Sequence, residues 1–223
     1  MVCLTFDPHA TLLATGAMDS TAKLWDVETG KEFVTLKGHE AEVVSLNFSA
    51  EGDRIITGSF DATAKIWDIR SGQSVNTLDE HTAELSNALF DFTADFCATC
   101  SLDRTCKLWD PRQPRSVFTY LGHKDEVFDI CFNSTGTKLA SVSADSTGRV
   151  YNVVDNSTQV VLVGHTKSIS KVKFNNQGTK LLTASEDSTA RIWDVETGEE
   201  LQCLTGNLPF FRIFVRFIFL FLD

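Results

Sequence analysis

Histidine, hydroxyl and carboxylate side chains recur in this sequence at fixed distances from one another and from an aromatic residue. The complete sets are His39, Thr57, Asp61 and Trp67; His81, Thr99, Asp103 and Trp109; His123, Ser141, Asp145 and Tyr151; and His165, Thr183, Asp187 and Trp193, while Thr15, Asp19 and Trp25 form a partial first set. A hydrolase uses such residues with the histidine as general base, the hydroxyl as nucleophile and the carboxylate to orient the imidazole.

The repetition of the set argues against catalysis. A reactive triad occurs once in an enzyme, beside a pocket and oxyanion donors, whereas this set returns in every unit. A chain of hydrogen bonds from the aromatic ring through the hydroxyl and imidazole to the carboxylate satisfies buried polar atoms instead. We therefore predict structural sets and no enzymatic activity. The fourth set has Tyr151 in place of tryptophan, and a phenol donates its hydrogen bond from a different position than an indole. We therefore expect the unit that contains this set to open first in hydrogen exchange.

Equivalent residues are spaced by 42 positions throughout, as His39, His81, His123 and His165 show. Within one unit, the β-rich runs VVSLNF, RIITGSF, TAKIWDI and SVNTL alternate with turn residues. Each unit is therefore predicted to be a four-stranded antiparallel sheet. Such a small sheet cannot bury both faces alone, so the units must pack face to face in an all-β propeller.

The residues that mark the repeats resemble a known family. Gly38-His39 with Trp67-Asp68, Gly122-His123, and Gly164-His165 with Trp193-Asp194 are similar to the repeats of WD-repeat proteins. The resemblance covers residues 1–206 and implies a WD-repeat β-propeller, in which the recurring sets are structural tetrads. Five four-stranded blades are predicted, at about 2–38, 39–80, 81–122, 123–164 and 165–206. An incomplete ring is expected, because closed propellers of this family usually have seven or eight blades.

The segment 207–223 departs from the repeat. The 42-residue spacing predicts a histidine at position 207, where the sequence has Asn207, and six phenylalanines follow within 17 residues. Its apolar part, interrupted by Arg212 and Arg216, is too short to span a bilayer as a helix. We favour a tail from outside the repeat fold, with an interfacial helix as the alternative. Open blade edges beside this tail predict a tendency to aggregate.

Composition and motifs narrow the function. A net charge of −10 disfavours nucleic acid as the main partner. The N-terminal residues lack a secretory signal pattern, so a cytoplasmic location with reduced cysteines is expected. No phosphate-loop or HExxH motif occurs, and neither a cofactor nor a small-molecule substrate is predicted.

Cys97, Cys100 and Cys106 begin as C-x2-C, but they occupy small or apolar repeat positions and are expected to pack, not to bind zinc.

Two columns of loop residues are candidates for partner binding. Met18, Phe60 and Leu102 stand just before the turn aspartates of the first three units, and Glu42, Glu84 and Glu126 stand three residues after the histidines. If both columns share one rim, they suit a protein segment with apolar anchors and basic flanks. The alternative is that the apolar side chains pack in the central channel.

Within the WD-repeat family, the chain resembles the WD-repeat dynein assembly factors of the outer dynein row. The resemblance lies in the sequences of units such as AEVVSLNFSAEGDRIITGSFDATAKIWD. That resemblance implies an adaptor that binds outer-arm dynein subunits and the intraflagellar transport machinery, located in the cytoplasm, basal body and cilium or flagellum. A second interpretation rests on Trp67-Asp68-Ile69-Arg70 and Trp109-Asp110-Pro111-Arg112, which match the WDxR pattern of substrate receptors of cullin-type ubiquitin ligases.

Overall fold

A computed structural model of the chain describes residues 2–205. Each repeat forms a four-stranded antiparallel sheet whose strands are ordered as they follow in the chain. The described residues contain strands and turns and no helix. The predicted all-β fold with five four-stranded blades is thereby confirmed. The predictions for the tail at 207–223 fall outside the described residues.

Unit 1, which extends to Tyr120, contains the first three blades. Its strands are β1 Cys3–Phe6, β2 Leu12–Gly16, β3 Thr21–Asp26, β4 Glu32–Lys37, β5 Val43–Phe48, β6 Arg54–Ser59, β7 Ala64–Asp68, β8 Ser74–Leu78, β9 Leu85–Phe90, β10 Cys97–Ser101, β11 Cys106–Trp109 and β12 Ser116–Tyr120.

Unit 2 begins at Leu121 and contains the fourth and fifth blades. Its strands are β13 Val127–Phe132, β14 Lys138–Ser143, β15 Thr147–Asn152, β16 Thr158–Val163, β17 Ile169–Phe174, β18 Lys180–Ser185, β19 Thr189–Asp194 and β20 Glu200–Thr205.

The core of unit 1 lies between consecutive sheets. Leu24 and Leu36 of the first blade belong to one buried cluster with Ile55 and Trp67 of the second. A second cluster joins apolar residues of the second and third blades; its larger members are Ile56, Ile66, Leu78, Leu85, Phe90 and Trp109. Blades therefore stack through their faces, which is how a small sheet buries apolar surface that it cannot cover alone.

In unit 2, the fourth and fifth blades bury a comparable cluster. Val142, Val150 and Leu162 pack with Leu181 and Trp193, and each of these side chains is at most 1% exposed. The tryptophan of the later blade thus contributes its ring to the apolar interface and keeps its N–H for a hydrogen bond within its own blade.

A β-bulge precedes the aromatic residue of every set. The pairing of the third and fourth strands shifts register between Leu24 and Trp25 in the first blade and between Ile66 and Trp67 in the second. Corresponding shifts precede Trp109, Tyr151 and Trp193. Because a bulge re-aims the side chains that follow it, this irregularity helps to direct each ring toward the hydroxyl of its set.

The turn aspartates are fixed by their own turns. In the second blade, one oxygen of Asp61 accepts hydrogen bonds from the Thr63 N–H at 2.9 Å and the Thr63 hydroxyl at 2.6 Å. Ala62 between them has a φ of 65°, in the left-handed region. This turn takes Phe60 and Thr63 out of the predicted strand runs and leaves the other carboxylate oxygen to face the imidazole.

Candidate functional site

The second blade shows how one recurring set is assembled. His39 lies in the loop before β5, Thr57 lies on β6, and Trp67 lies on β7. The Trp67 Nε1–H donates to Thr57 Oγ1 at 2.9 Å, and Thr57 Oγ1 lies 2.6 Å from His39 Nε2. His39 Nδ1 lies 2.7 Å from the Asp61 carboxylate. The four side chains form one hydrogen-bonded chain in the order given by the sequence analysis.

The third and fifth blades repeat this arrangement closely. Their ring N–H to hydroxyl distances are both 2.8 Å, and their hydroxyl to imidazole distances are 2.7 and 2.8 Å. The imidazole to carboxylate distances are 2.7 and 2.8 Å. Three blades with tryptophan therefore share one geometry.

Burial sets the charge of the histidines. Desolvation lowers the pKa of His39, and the hydrogen bond and charge of Asp61 offset this only in part. Desolvation lowers the pKa of His123 and His165 in the same way, against the opposing effect of their own carboxylates. These imidazoles are therefore neutral near pH 7.

The carboxylates are anions at that pH. Burial alone raises the pKa of Asp61, but hydrogen bonds from Thr63, the Glu40 N–H and His39 outweigh it and lower the pKa overall. Since an ionised carboxylate only accepts hydrogen bonds, His39 must donate from Nδ1. Its Nε2 then accepts the Thr57 hydroxyl proton, so the polar side-chain atoms of this set all have partners.

This arrangement leaves no nucleophile for a substrate. The hydroxyl residues of the four complete sets are each 0% exposed: Thr57, Thr99, Ser141 and Thr183. In the tryptophan blades, each hydroxyl accepts from the indole and faces the imidazole at hydrogen-bond distance. A buried hydroxyl that is saturated in this way holds strands together and cannot reach a scissile bond.

The fourth blade has the loosest set. The Tyr151 hydroxyl lies 3.3 Å from Ser141 Oγ, and His123 Nδ1 lies 3.1 Å from the Asp145 carboxylate. Only the distance of 2.8 Å from His123 Nε2 to Ser141 Oγ matches the other blades. The pKa of Asp145 is nevertheless lowered to about 2, because hydrogen bonds from Thr147 and the Lys124 N–H outweigh desolvation.

The first blade carries three members of the set, Thr15, Asp19 and Trp25. The Trp25 Nε1–H donates to Thr15 Oγ1 at 2.9 Å, and Asp19 accepts from the Thr21 N–H and hydroxyl at 3.1 and 2.7 Å. Asp19 is exposed, and Thr15 and Trp25 are half-buried. A pocket of about 430 Å³ opens here, lined by Leu13, Thr15, Gly16, Ala17, Asp19, Thr21, Lys23 and Trp25.

The two predicted partner-binding columns lie side by side in unit 1. The Phe60 N–H donates to the Glu42 carbonyl at 3.0 Å, and the Leu102 N–H donates to the Glu84 carbonyl at 2.9 Å. Phe60 is 45% exposed. Leu102 and Glu42 are half-buried, and Glu84 is exposed. We call Met18, Phe60, Leu102, Glu42 and Glu84 the unit 1 rim.

Met18 joins this rim through the turn that carries it. The Val43 N–H donates to the Ala17 carbonyl at 3.1 Å, so the turn lies beside the residue that follows Glu42. Met18 is 71% exposed. In unit 2, the corresponding contact joins the Ala144 N–H to the Glu126 carbonyl at 2.9 Å, and the small alanine supplies no apolar anchor there.

The three clustered cysteines lie inside the third blade. Cys97 and Cys100 on β10 and Cys106 on β11 are each 0% exposed. Burial raises the pKa of Cys97 well above its ordinary value, which disfavours the thiolate that a metal requires. Among residues 2–205, no group of His, Cys, Asp or Glu is arranged to hold a metal ion. No helix in this same range is long and apolar enough to cross a membrane.

The two WDxR arginines differ in their surroundings. Both are exposed. Arg112 donates from Nε and Nη2 to the Asp110 carboxylate at 2.7 and 3.0 Å. The equivalent Asp68 instead accepts from the Ser71 N–H and hydroxyl at 2.7 and 2.6 Å. Arg70 therefore does not share the bidentate pairing that occupies Arg112.

Two contributors to the sets were missed by sequence reasoning. The Glu40 N–H donates to the Asp61 carboxylate at 3.0 Å, and the Thr63 hydroxyl lies 3.4 Å from His39 Nδ1. The threonine has a sequence signal, since Thr21, Thr63, Thr105, Thr147 and Thr189 share the spacing of 42. The backbone N–H has none, because every residue except proline carries one.

Comparison with curated proteins finds short, similar stretches. Periodic tryptophan protein 2 of Arabidopsis thaliana is 44% identical over 48 residues, which are 22% of this chain and 5% of that protein. Nuclear distribution protein nudF of Aspergillus niger is 46% identical over 48 residues, or 22% of this chain and 11% of that protein. The probable E3 ubiquitin ligase complex SCF subunit sconB of Arthroderma benhamiae is 56% identical over 36 residues, or 16% and 5%. The matched stretches span only a small part of the length of these relatives.

Comparison with family models gives a match along most of the chain. The model described as WD domain, G-beta repeat, matches residues 1–26, 30–68, 72–110, 114–152 and 156–194. Each match contains the first three strands of one sheet, and the last four matches also contain the final strand of the sheet before. Together they include the aromatic residue of every set. The chain belongs to the WD40-repeat family.

Proposed function

We propose that this chain is a non-enzymatic scaffold that acts as an adaptor in the assembly of axonemal outer-arm dynein and in its intraflagellar transport into cilia. WD repeats indicate a protein-interaction scaffold. The role in dynein assembly and transport is supported by the sequences of the repeats, which resemble those of the WD-repeat dynein assembly factors. It places the protein in the cytoplasm, at the basal body and in the cilium.

The unit 1 rim is the observation that carries this proposal. Phe60 and Met18 expose apolar side chains at loop tips, and rigid strands hold these loops in place. Glu42 and Glu84 lie directly beside two of the tips. Apolar anchors edged by carboxylates suit a partner segment with apolar residues between lysines or arginines, which the net charge of −10 also favours.

The exposure of the rim also weighs against a role in packing alone. A side chain that is 45 or 71% exposed, as Phe60 and Met18 are, contributes little to the core. Leu102 is half-buried and contributes to both surface and packing. Partner contact should therefore depend most on Phe60 and Met18.

A binding assay with matched variants tests the proposal. Tagged protein is incubated with extract of ciliated cells, and outer-arm dynein chains and intraflagellar transport proteins are detected with antibodies. Phe60→Ala and Met18→Ala are expected to lose most of the signal with little change in melting temperature. Phe92→Ala is the control, since Phe92 is 69% exposed in the loop between β9 and β10, at the opposite end of the sheet from Leu102. The proposal fails if neither partner is captured, or if the control lowers capture as much as the rim variants.

A second function is favoured by a separate observation. A stretch of 36 residues is 56% identical to a probable E3 ubiquitin ligase complex SCF subunit. Arg70 in the WDxR pattern is exposed in the turn after β7. A role as substrate receptor of a cullin-type ubiquitin ligase predicts co-purification with a ligase adaptor, lost in Arg70→Ala. Arg112→Ala is the comparison, because Arg112 is already paired with Asp110.

A further inference from the structure

The fourth blade contains a half-buried arginine whose charge is not neutralised by a carboxylate of the described chain. Arg149 lies on β15, and its Nη2 donates to the Gly122 carbonyl at 2.7 Å. A Cβ at Gly122 would lie 2.8 Å from Arg149 Nη1, so the guanidinium rests against this glycine. Its Nε is buried without a hydrogen-bond acceptor in the described chain. Among residues 2–205, no carboxylate forms an ion pair with Arg149.

The equivalent residues of other blades show which contact Arg149 lacks. In three of them the basic residue at this position of the third strand pairs with a glutamate: Lys23 with Glu32, Lys107 with Glu80 and Arg191 with Glu200. Glu200 stands opposite Trp193 in the pairing of β19 with β20, and Thr158 stands opposite Tyr151 in the pairing of β15 with β16. The fourth blade therefore has a hydroxyl at the position from which the fifth blade supplies its carboxylate.

Exposed apolar side chains lie beside this guanidinium. Val161 stands directly opposite Arg149 in the pairing of β15 with β16, and Val163 lies two residues further along β16. Because alternate residues of a strand share a face, both valines lie on the face that carries Arg149. Leu121 precedes the glycine that the guanidinium contacts. Val161, Val163 and Leu121 are 41, 72 and 67% exposed. We call Leu121, Arg149, Val161 and Val163 the fourth-blade surface.

These features define the chemistry of a ligand. A guanidinium presents its N–H donors in a planar fork, and a carboxylate can accept two of them at once. Apolar side chains that are exposed together favour a partner that covers them with its own apolar groups. No residue of β16, which has the sequence TQVVLV, carries a charge that would compete for the guanidinium. A ligand that combines a carboxylate with neighbouring apolar groups therefore matches this surface.

We propose that the fourth-blade surface binds an acidic segment of a partner protein, in which a glutamate or aspartate is flanked by valine, leucine or isoleucine. The carboxylate pairs with the Arg149 guanidinium, and the apolar side chains cover Leu121, Val161 and Val163. This ligand is opposite in charge to the basic segment that suits the unit 1 rim. The proposal does not depend on the proposed function, because the two surfaces share no residue.

The first test selects ligands without assuming their sequence. A display library of random heptapeptides is panned against the intact chain and, in parallel, against Arg149→Gln. Peptides enriched on the intact chain are expected to contain aspartate or glutamate next to valine, leucine or isoleucine. Panning on Arg149→Gln should not enrich this class, because the variant keeps the apolar side chains and loses the charge.

The second test measures the affinity of the most enriched acidic peptide by fluorescence anisotropy. Arg149→Gln is expected to weaken binding by at least about tenfold, because charge-assisted hydrogen bonds are lost. Val163→Thr, which replaces a methyl group by a hydroxyl, should weaken binding about fourfold. Val154→Thr is the matched control and should leave binding unchanged. Val154 is 79% exposed in the turn between β15 and β16, at the opposite end of the sheet from Val163.

A third variant separates loss of binding from loss of folding. Thr158→Glu places a glutamate at the position equivalent to Glu200, so that Arg149 gains a carboxylate from its own blade. This variant should raise the melting temperature and weaken peptide binding by about tenfold, because the new carboxylate competes with that of the peptide. Thr158→Gln is its control, since it has nearly the same size and no charge, and it should change neither quantity.

Three results would overturn the proposal. The first is equal peptide binding by the intact chain, Arg149→Gln and Thr158→Glu when all three fold by circular dichroism. The second is unchanged affinity for the same peptide with glutamine in place of its acidic residues, since the carboxylate would then not be recognised. The third is sedimentation with phosphatidylserine vesicles that is lost in Arg149→Gln while no acidic peptide is enriched, which would assign the surface to an anionic lipid.

Discussion

The second and fourth blades contain the same histidine, hydroxyl and carboxylate positions and differ in the aromatic residue. The Trp67 indole N–H reaches Thr57 at 2.9 Å, whereas the Tyr151 hydroxyl lies 3.3 Å from Ser141. Both hydroxyl residues are 0% exposed. Access to water therefore does not account for the difference, which accompanies the change from tryptophan to tyrosine and from threonine to serine.

A second contact of the fourth set is also longer. The imidazole to carboxylate distance is 2.7 Å for His39 and 3.1 Å for His123. The contact between them, from His123 Nε2 to Ser141 Oγ, keeps the 2.8 Å of the fifth blade, so the fourth set is longer at its two ends and not in the middle. The comparison indicates that tryptophan contributes to these blades through its N–H as well as through its apolar area.

The largest expected effect comes from removing the carboxylate of a tight set. Asp61→Ala leaves the His39 Nδ1–H and the Glu40 N–H without their acceptor and should lower the free energy of unfolding by about 3 kcal/mol. Asp145→Ala should cost less, about 2 kcal/mol, because the His123 contact is already longer. Urea unfolding measures both, with Glu28→Ala as a surface control. Equal losses for the two aspartate variants would contradict the comparison.

The pH dependence of stability is the next largest effect. Desolvation lowers the pKa of His39, His123 and His165 below that of the unfolded chain, about 6.5. Below pH 6.5 the unfolded chain therefore binds more protons than the folded chain, and stability falls as pH falls. The lowered pKa values of Asp61 and Asp145 add a further loss at pH values below about 4. The melting temperature should be several degrees lower at pH 5 than at pH 7. A flat profile over this range would show that the imidazoles titrate with the same pKa in the folded and the unfolded chain.

The fourth blade should open before the second, since its set holds the strands less tightly. Amides of β13–β16 are expected to exchange faster in native-state hydrogen exchange than those of β5–β8. Tyr151→Trp should restore an indole donor to Ser141, raise the free energy of unfolding by about 1 kcal/mol and slow this exchange. Tyr151→Phe is the control, because it keeps the ring and removes the hydroxyl. Exchange that is slower in the fourth blade than in the second would contradict the role given to the indole.

Much of this fold follows from the sequence because the repeat spacing is uniform. The spacing of 42 predicts five sheets, and the positions of His39, Thr57 and Trp67 predict their order in the hydrogen-bonded chain. The run SVNTL coincides with β8 at Ser74–Leu78. These features depend on local pattern, which a sequence shows directly.

Other features depend on three-dimensional packing and were not predictable in this way. The run TAKIWDI covers residues 63–69, yet β7 is Ala64–Asp68, because the side chain of Asp61 holds Thr63 in the turn. Leu102 is half-buried, whereas Phe60 at the equivalent position of the second blade is exposed. This difference depends on neighbouring side chains. The bulges before the aromatic residues have no signal in residue type either.

The smallest expected effect lies at the turns, where the second and fourth blades agree. Ala62 and Ser146 both adopt left-handed backbone, with φ of 65° and 66°. This conformation costs a residue with a Cβ roughly 1–2 kcal/mol, and glycine avoids that cost while losing about 0.5–1 kcal/mol in chain entropy. Ala62→Gly and Ser146→Gly should therefore each raise the free energy of unfolding by about 0.5 kcal/mol. Ala50→Gly, at an exposed position without positive φ, should not stabilise the chain. Equal increases in the free energy of unfolding would show that the two blades differ at the aromatic residue and not at the turn. A larger increase for Ser146→Gly would show that the fourth blade is also strained at its turn.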